Sequence, residues 1–174
     1  MDAVKLEGGK DRLNAIRLIV GAGIPVMGHL GLTPQSVHQF GGFRAQGKLA
    51  SAAQQILDDS HLLQEAGCFS LVLESIPVKL AEYISDQLDI PTIGIGAGAG
   101  CDGQVLVTHD MLGLFDRFTP RFVKKYADLH GDLQRAFGNY ITDVEDRAFP
   151  AQEHCVEMKE EEWEAFQAAV NGNQ

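Results

Sequence analysis

The feature that most constrains this chain is an alternation. Short apolar runs recur along its 174 residues, and segments with helical spacing lie between them. The clearest run is Phe69-Ser-Leu-Val-Leu-Glu-Ser75. A strand so continuously apolar must be covered on both faces, the condition of a parallel strand packed among helices. Before it stands LASAAQQILDDSHLLQEAG (49–67), with Ile56, Leu63 and Ala66 on one stripe and Gly67 at the stop. After it comes PVKLAEYISDQLD (77–89), with Pro77 at the helix start, where its missing N–H costs nothing.

The same unit repeats on either side. AVKLEG (3–8) reads as a strand and KDRLNAIRLIVGAG (10–23) as a helix with Leu13, Ile16, Ile19 and Val20 on its inner face. IPVMGHL (24–30) is a strand, and the glycine-rich stretch 31–48 a long loop. IPTIGIGAG (90–98) and GQVLVTHD (103–110) are two further strands; TPRFVKKYADL (119–129) and GDLQRAFGNYITDVEDRAF (131–149) read as helices. Five strands alternating with helices predict parallel βαβ units in an α/β fold. An open sheet and part of a (β/α)₈ barrel both fit. The barrel is favoured because chemistry-bearing residues close nearly every strand: Glu7, His29, Glu74, the Gly94–Gly100 loop, and His109 with Asp110. In a barrel that rim carries the site, whereas an open sheet concentrates it at one switch point.

Charge narrows the partners. A net charge of −10 argues against nucleic acid or an anionic membrane as the main partner. No apolar stretch reaches the roughly 18 residues of a membrane span. Three cysteines, Cys68, Cys101 and Cys155, without CxxC spacing argue against a disulfide framework or a Cys-based zinc site and suit a reducing compartment.

Four residues are candidates for chemistry. Glu74 ends an apolar strand, so a partly desolvated carboxylate is expected there, suited to act as a general base; the competing role is a helix cap or salt bridge. Lys5 and Glu7 share one face of the first strand. They are either a structural ion pair, or a lysine for an anionic substrate beside an oxygen ligand for a divalent cation. His29 gains weight as a site residue from these neighbours at equivalent strand ends. GIGAGAG (94–100) loosely matches a dinucleotide fingerprint, but it leads into a strand rather than a helix, so a ligand-approaching rim loop with positive φ is the better reading.

In order, VKLEGG, GHLGLTPQS, FGGFRAQGK, LVLESIPV, IGIGAGAGCDGQVLVTHDMLG and the closing FPAQEH resemble ketopantoate hydroxymethyltransferases over about residues 3–154. The resemblance implies a (β/α)₈ barrel in a homo-oligomer, commonly a decamer. It implies transfer of a hydroxymethyl group from 5,10-methylenetetrahydrofolate to 3-methyl-2-oxobutanoate, giving ketopantoate for pantothenate and coenzyme A synthesis. A magnesium ion would chelate the 2-oxo acid. By the same resemblance Glu74 is the base that takes the C3 proton, Lys5 and His29 contact the substrate, and Glu7 is an acidic residue of the metal site.

The family pattern also places three strands before the one matching AVKLEG, carrying a Gly-Asp-Ser segment and a second aspartate that bind magnesium and substrate. Neither is in these residues, and Asp2, Asp102 and Asp110 lack the right context. Five strands cannot close an eight-stranded barrel, so edges at 3–7 and 104–108 are expected to stay unpaired. The expectation is a partial TIM barrel over 1–154, followed by an acidic tail (155–174) in which Trp163, Phe166 and Val170 suit a short amphipathic helix. Three functional readings follow: half of a hydroxymethyltransferase with little or no turnover by itself, a non-catalytic remnant that associates with a full-length homologue or another partner, and an enzyme acting on another 2-oxo acid or a phosphorylated substrate. The expected compartment is the cytoplasm, or the mitochondrion should a targeting segment precede these residues.

Overall fold

The computed structural model describes residues 2–36 and 45–172. They divide into two compact units, Met1–Tyr126 and Ala127–Gln174. The expected loop 31–48 begins with a single 3₁₀ turn at Pro34–Ser36, and its residues 37–44 lie outside the described ones.

The first unit is a parallel five-stranded sheet in the sequential order β1-β2-β3-β4-β5. The strands are β1 (Val4–Glu7), β2 (Val26–Gly31), β3 (Ser70–Glu74), β4 (Thr92–Ile95) and β5 (Gly103–Gln104). Between them run α1 (Leu13–Gly21), α2 (Ala50–Glu65) and α3 (Val78–Gln87), and after β5 a single helical turn, α4 (Thr108–Met111). Parallel crossovers are right-handed, so a strictly sequential order sends every crossover helix to the same side. That side holds the core: Val26, Leu30, Leu71 and Leu73 from the strands pack with Ile16, Ile56, Leu63, Ala81 and Ile84 from the helices. The other side carries the alternate residues, Lys5, Glu7, His29 and Glu74 among them. Helices outside and a polar-tipped strand face inside is the wall of a (β/α)₈ barrel, here five strands of it.

The helical stripes are as the spacing predicts. Ile16 is fully buried, with Leu13, Ile19 and Val20 packed around the core, and Ile56, Leu63 and Ala66 are buried together. Gly67 ends α2 at φ +96°. The two sheet edges are β1 and β5.

Two sequence-based expectations fail. GQVLVTHD is not a full strand: only Gly103 and Gln104 pair with β4, opposite Ile93 and Gly94. One more bond follows, from Val105 N–H to the Gly94 carbonyl at 3.0 Å. Past Gly94 the β4 chain turns away at Gly96 (φ +63°), so Val105–Val107 has no ladder on that side. Thr108–Met111 then closes as α4. Nor is TPRFVKKYADL a helix. Its backbone is spent on a turn, Val123 N–H to Pro120 at 2.9 Å, and on a distant tie, Tyr126 N–H to Met111 at 2.8 Å. Phe122 lies over Gly96, where a Cβ would come within 2.8 Å of its ring. Tertiary contacts override a helical pattern here.

The second unit holds α5 (Leu129–Glu145), a 3₁₀ turn at Gln152–His154, and α6 (Glu160–Asn171). The amphipathic tail helix expected around Trp163 and Phe166 is α6, and their rings stack 5.6 Å apart.

Candidate active site

The four residues singled out in the sequence stand on one face at the carboxyl ends of three adjacent strands. Strand register sets Glu7 beside His29 and Gly31 beside Glu74. His29 is the centre: its side chain is 1% exposed and lies between two carboxylates. Nε2 is 3.1 Å from Glu74 Oε2, and Nδ1 is 3.6 Å from Glu7 Oε1. The 3.1 Å approach lies off the ring N–H direction, so neither nitrogen closes an aligned hydrogen bond among the described residues. Buried polar atoms are ordinarily satisfied, so the imidazole takes its partner from beyond the described protein atoms, whether water, an ion or a ligand.

Glu7 is held from the other side as well. The backbone N–H of Gln35 donates to its Oε2 at 3.0 Å, so the loop after β2 fixes the carboxylate on β1. Lys5, two residues earlier on the same face, is exposed and has no hydrogen bond or ion pair among the described residues. The structural Lys5–Glu7 pair is therefore not formed, and the ammonium stays available for an anion.

Glu74 is set by its backbone. Leu32 N–H donates to the Glu74 carbonyl at 2.8 Å, and Ser75 N–H to the Ile95 carbonyl at 2.9 Å. Gln46 N–H reaches the Ser75 carbonyl at 3.0 Å. Ser75 stands in the left-handed region at φ +52°, a conformation that costs a non-glycine residue about 1–2 kcal/mol. Such strain persists where surrounding bonds over-determine it, commonly at functional sites. Gly31, at φ +93°, presses against the same place: any Cβ there would run into the Glu74 carbonyl oxygen and Ile76. Nothing in the sequence marks Ser75 as special; Gly31 is one glycine of a glycine-rich stretch until the strands are paired.

The remaining candidates separate. Asp102 sits at the opposite end of the sheet, where its Oδ2 accepts from Thr92 N–H at 2.7 Å and from the Thr92 hydroxyl at 3.0 Å. The Thr92 backbone N–H, and next its hydroxyl, hold that carboxyl below the usual range. Asp102 therefore ties the 96–102 loop to the start of β4 and takes no part in the rim. Gly96 and Gly98 adopt φ +63° and +86°, as a close-approach loop requires. Cys68, Cys101 and Cys155 are all free thiols.

Together the rim offers a carboxylate beside an imidazole, a second carboxylate, and an ammonium without a partner among the described residues. It does not offer a metal cage. Among the described residues no three His, Cys, Asp or Glu side chains are arranged to hold a metal ion. Magnesium wants about six oxygens in near-octahedral array, and the two carboxylates here lie on opposite sides of an imidazole. The residues present do not make a magnesium site by themselves.

Residues 1–152 match the family model described as ketopantoate hydroxymethyltransferase. The chain belongs to the ketopantoate hydroxymethyltransferase family. It is 57% identical over 169 residues to a 3-methyl-2-oxobutanoate hydroxymethyltransferase of Nitratidesulfovibrio vulgaris, covering 97% of this chain and 55% of the relative. It is 59% identical over 152 residues to one of Syntrophus aciditrophicus, covering 87% and 56%. With one of Clostridioides difficile it shares 52% over 162 residues, covering 93% and 59%. The chain thus spans little more than half the length of these hydroxymethyltransferases, and all four rim residues lie inside the family match.

Proposed function

We propose that this chain provides the base-bearing half of a ketopantoate hydroxymethyltransferase site: one that moves a hydroxymethyl group from 5,10-methylenetetrahydrofolate to 3-methyl-2-oxobutanoate. The observation that carries the reading is the Glu7–His29–Glu74 row on the strand face inside the barrel wall, with Lys5 beside it. Glu74 takes the proton from C3 of the oxo acid. Its carboxylate ends an apolar strand and is only 15% exposed, so water competes weakly for it. His29 Nε2 stands 3.1 Å from Glu74 Oε2, which keeps the two groups side by side on the rim. Lys5 binds the substrate carboxylate. A proton α to a ketone is too weakly acidic for a carboxylate alone, and a bound divalent cation would supply the missing acidity as a Lewis acid. We propose magnesium as that cation, to which Glu7 would contribute one ligand; the described residues do not complete its site.

By this reading the chain alone gives little or no ketopantoate, and the working enzyme is an oligomer of closed barrels in the cytoplasm. Among the described residues no helix is long and apolar enough to cross a membrane. The test has two arms. The purified chain, supplied with magnesium, 3-methyl-2-oxobutanoate and 5,10-methylenetetrahydrofolate, is expected to form no ketopantoate; robust turnover overturns the half-site reading. Joined to the part of the Nitratidesulfovibrio vulgaris relative that it does not cover, it is expected to turn over, and Glu74→Gln in that hybrid to lose roughly 10²–10⁴-fold in kcat. A Glu74→Gln hybrid as active as its parent would remove Glu74 as the base. A second reading, association of this chain with a full-length homologue, is favoured by the open edges at β1 and β5. Co-expression with the intact relative and the mass of the purified species tests it.

A further inference from the structure

Strand β3 alternates as far as Glu74 and then changes side. Leu71 and Leu73 belong to the core cluster beneath the helices, while Val72 and Glu74 stand on the opposite face, in register with His29 and Gly31. A period of two would put Ile76 on the face of Glu74. Ile76 is instead 3% exposed and packs in the same core cluster as Leu71 and Leu73. The inversion is made at Ser75, whose φ of +52° turns the chain out of the strand and straight into Pro77, the N-cap of α3. The peptide joining Glu74 to Ser75 is bonded at both ends: its carbonyl accepts from Leu32 N–H at 2.8 Å, and its N–H donates to the Ile95 carbonyl at 2.9 Å. The following carbonyl, that of Ser75, accepts from Gln46 N–H at 3.0 Å. The Ser75 hydroxyl has no hydrogen bond among the described residues. What the fold uses at this position is therefore the backbone angle.

We infer that Ser75 is a positioning residue for Glu74: its left-handed backbone lets one short connection bury Ile76 among the helices and hold the Glu74 carboxylate beside His29 on the other face. The inference rests on the function proposed above, in which Glu74 is the base, and adds the residue that aims it. An extended residue 75 restores the period of two and puts the two side chains in conflict, so that one must leave its place. Ile76 is enclosed, and taking an isoleucine out of a core costs more than moving a carboxylate that still meets water. Glu74 is therefore the one displaced, away from its 3.1 Å approach to His29 Nε2. Proton abstraction is sensitive to such a shift, since a misplacement of about 1 Å costs on the order of 10²-fold in rate. Glycine and asparagine adopt a positive φ readily, whereas β-branched residues resist it. The choice of residue at 75 thus sets where the carboxylate stands.

The experiment has two arms. The first is NMR of the His29 ring in the purified 174-residue chain at one fixed pH, with Glu74→Gln as the reference for a lost carboxylate. Ser75→Gly and Ser75→Asn are expected to keep the parent ring shifts, and Ser75→Val to move them at least half as far as Glu74→Gln does. Should Ser75→Val alter the far-ultraviolet circular dichroism, Ser75→Thr, branched but smaller and still a hydroxyl, takes its place with the same expectation. The second arm is kinetics in the hybrid described above. Ser75→Val is expected to lower kcat about 10–100-fold while KM for 3-methyl-2-oxobutanoate stays within about twofold, and Ser75→Asn to hold kcat within about threefold of the parent. A merely structural role lowers the amount of folded enzyme and leaves both constants of the folded fraction alone. Parent values in either arm for a folded branched variant overturn the inference. So does a Ser75→Asn protein as impaired as Ser75→Val, which assigns the effect to the hydroxyl. A Glu74→Gln hybrid as active as its parent removes the base instead, and the ring shifts still decide whether Ser75 sets Glu74.

Discussion

The strand wall β1–β4 and the helical unit α5–α6 are built from equally apolar material and use it in opposite ways. Leu71 and Leu73 on β3 are completely buried, as are Ile16, Leu63 and Ile84 on the helices over them. In residues 127–172 no side chain is buried; Leu133, Phe137, Tyr140, Ile141 and Val144 all stand open on α5. The strand wall gets its shape from long-range pairing, and β2, β3 and β4 are each fixed by neighbours on both sides. The helical unit gets its shape from local rules, the intrahelical bonds of α5 and α6 and an apolar stripe along α5. Substitutions should therefore speak loudly in the first region and faintly in the second.

The largest effect is expected at Gly31. It sits at φ +93°, and any Cβ overlaps the Glu74 carbonyl oxygen. Moving that oxygen breaks the Leu32 N–H bond and shifts Glu74 itself. Gly31→Val adds branching to a forbidden backbone angle and is expected to leave no cooperative urea transition for the sheet. A stable Gly31→Val protein with wild-type circular dichroism would show that the strand ends are softer than their bonding indicates. Next comes Leu71→Ala. It empties a fully enclosed site between the sheet and its helices and is expected to cost about 2–5 kcal/mol by urea denaturation. That is a large part of a total of roughly 5–15 kcal/mol.

A smaller effect, limited to acid, is expected at Asp102. Its carboxyl is held below the ordinary 3.8 by the Thr92 backbone N–H and hydroxyl. A lowered folded-state value means the unfolded chain binds the proton first as pH falls. The stabilisation is therefore complete above the unfolded value and is lost as pH drops below about 4. Urea midpoints measured between pH 6 and pH 3 should fall more for the parent than for Asp102→Asn, which cannot titrate. Parallel curves for the two proteins would mean that the tie between the 96–102 loop and β4 contributes nothing to stability.

The two regions also differ in how far they could be read from sequence. β1 through β4 and their helices are legible because β3 is buried on both faces, each helix turns an apolar stripe to the strands, and the glycine or proline at each boundary has a local reason. The rim is legible in its members because Glu7 and Glu74 close their strands, and Lys5 and His29 share the same face one or two residues from a strand end. Ser75 and Gly31 are not, since their importance lies in a cross-strand backbone contact that no spacing encodes. The segment 105–129 departs from its pattern twice. Its apolar run Val105–Val107 has no strand beyond it to pair with among the described residues, and its helical pattern at 119–129 is overruled by Phe122 lying on Gly96. The same segment supplies Phe118, Arg121 and Phe122 to the lining of a cavity of about 440 Å³ beside Glu74.

The smallest effect is expected at Phe137, and its smallness tests the contrast most directly. Phe137 is 64% exposed on α5, so Phe137→Ala removes little packing and should move the urea midpoint by no more than about 0.5 kcal/mol. Alanine also favours the helix slightly over phenylalanine, which offsets part of any loss. The measurement belongs at two protein concentrations tenfold apart. A cost approaching that of Leu71→Ala, growing with concentration, would mean that the α5 stripe is covered in solution by another copy, since linkage to association makes stability depend on protomer concentration. The difference between the two regions would then lie in where the covering surface comes from, within the chain for β3 and from a neighbour for α5, and the apolar periodicity of α5 would carry the same physical instruction as that of α2.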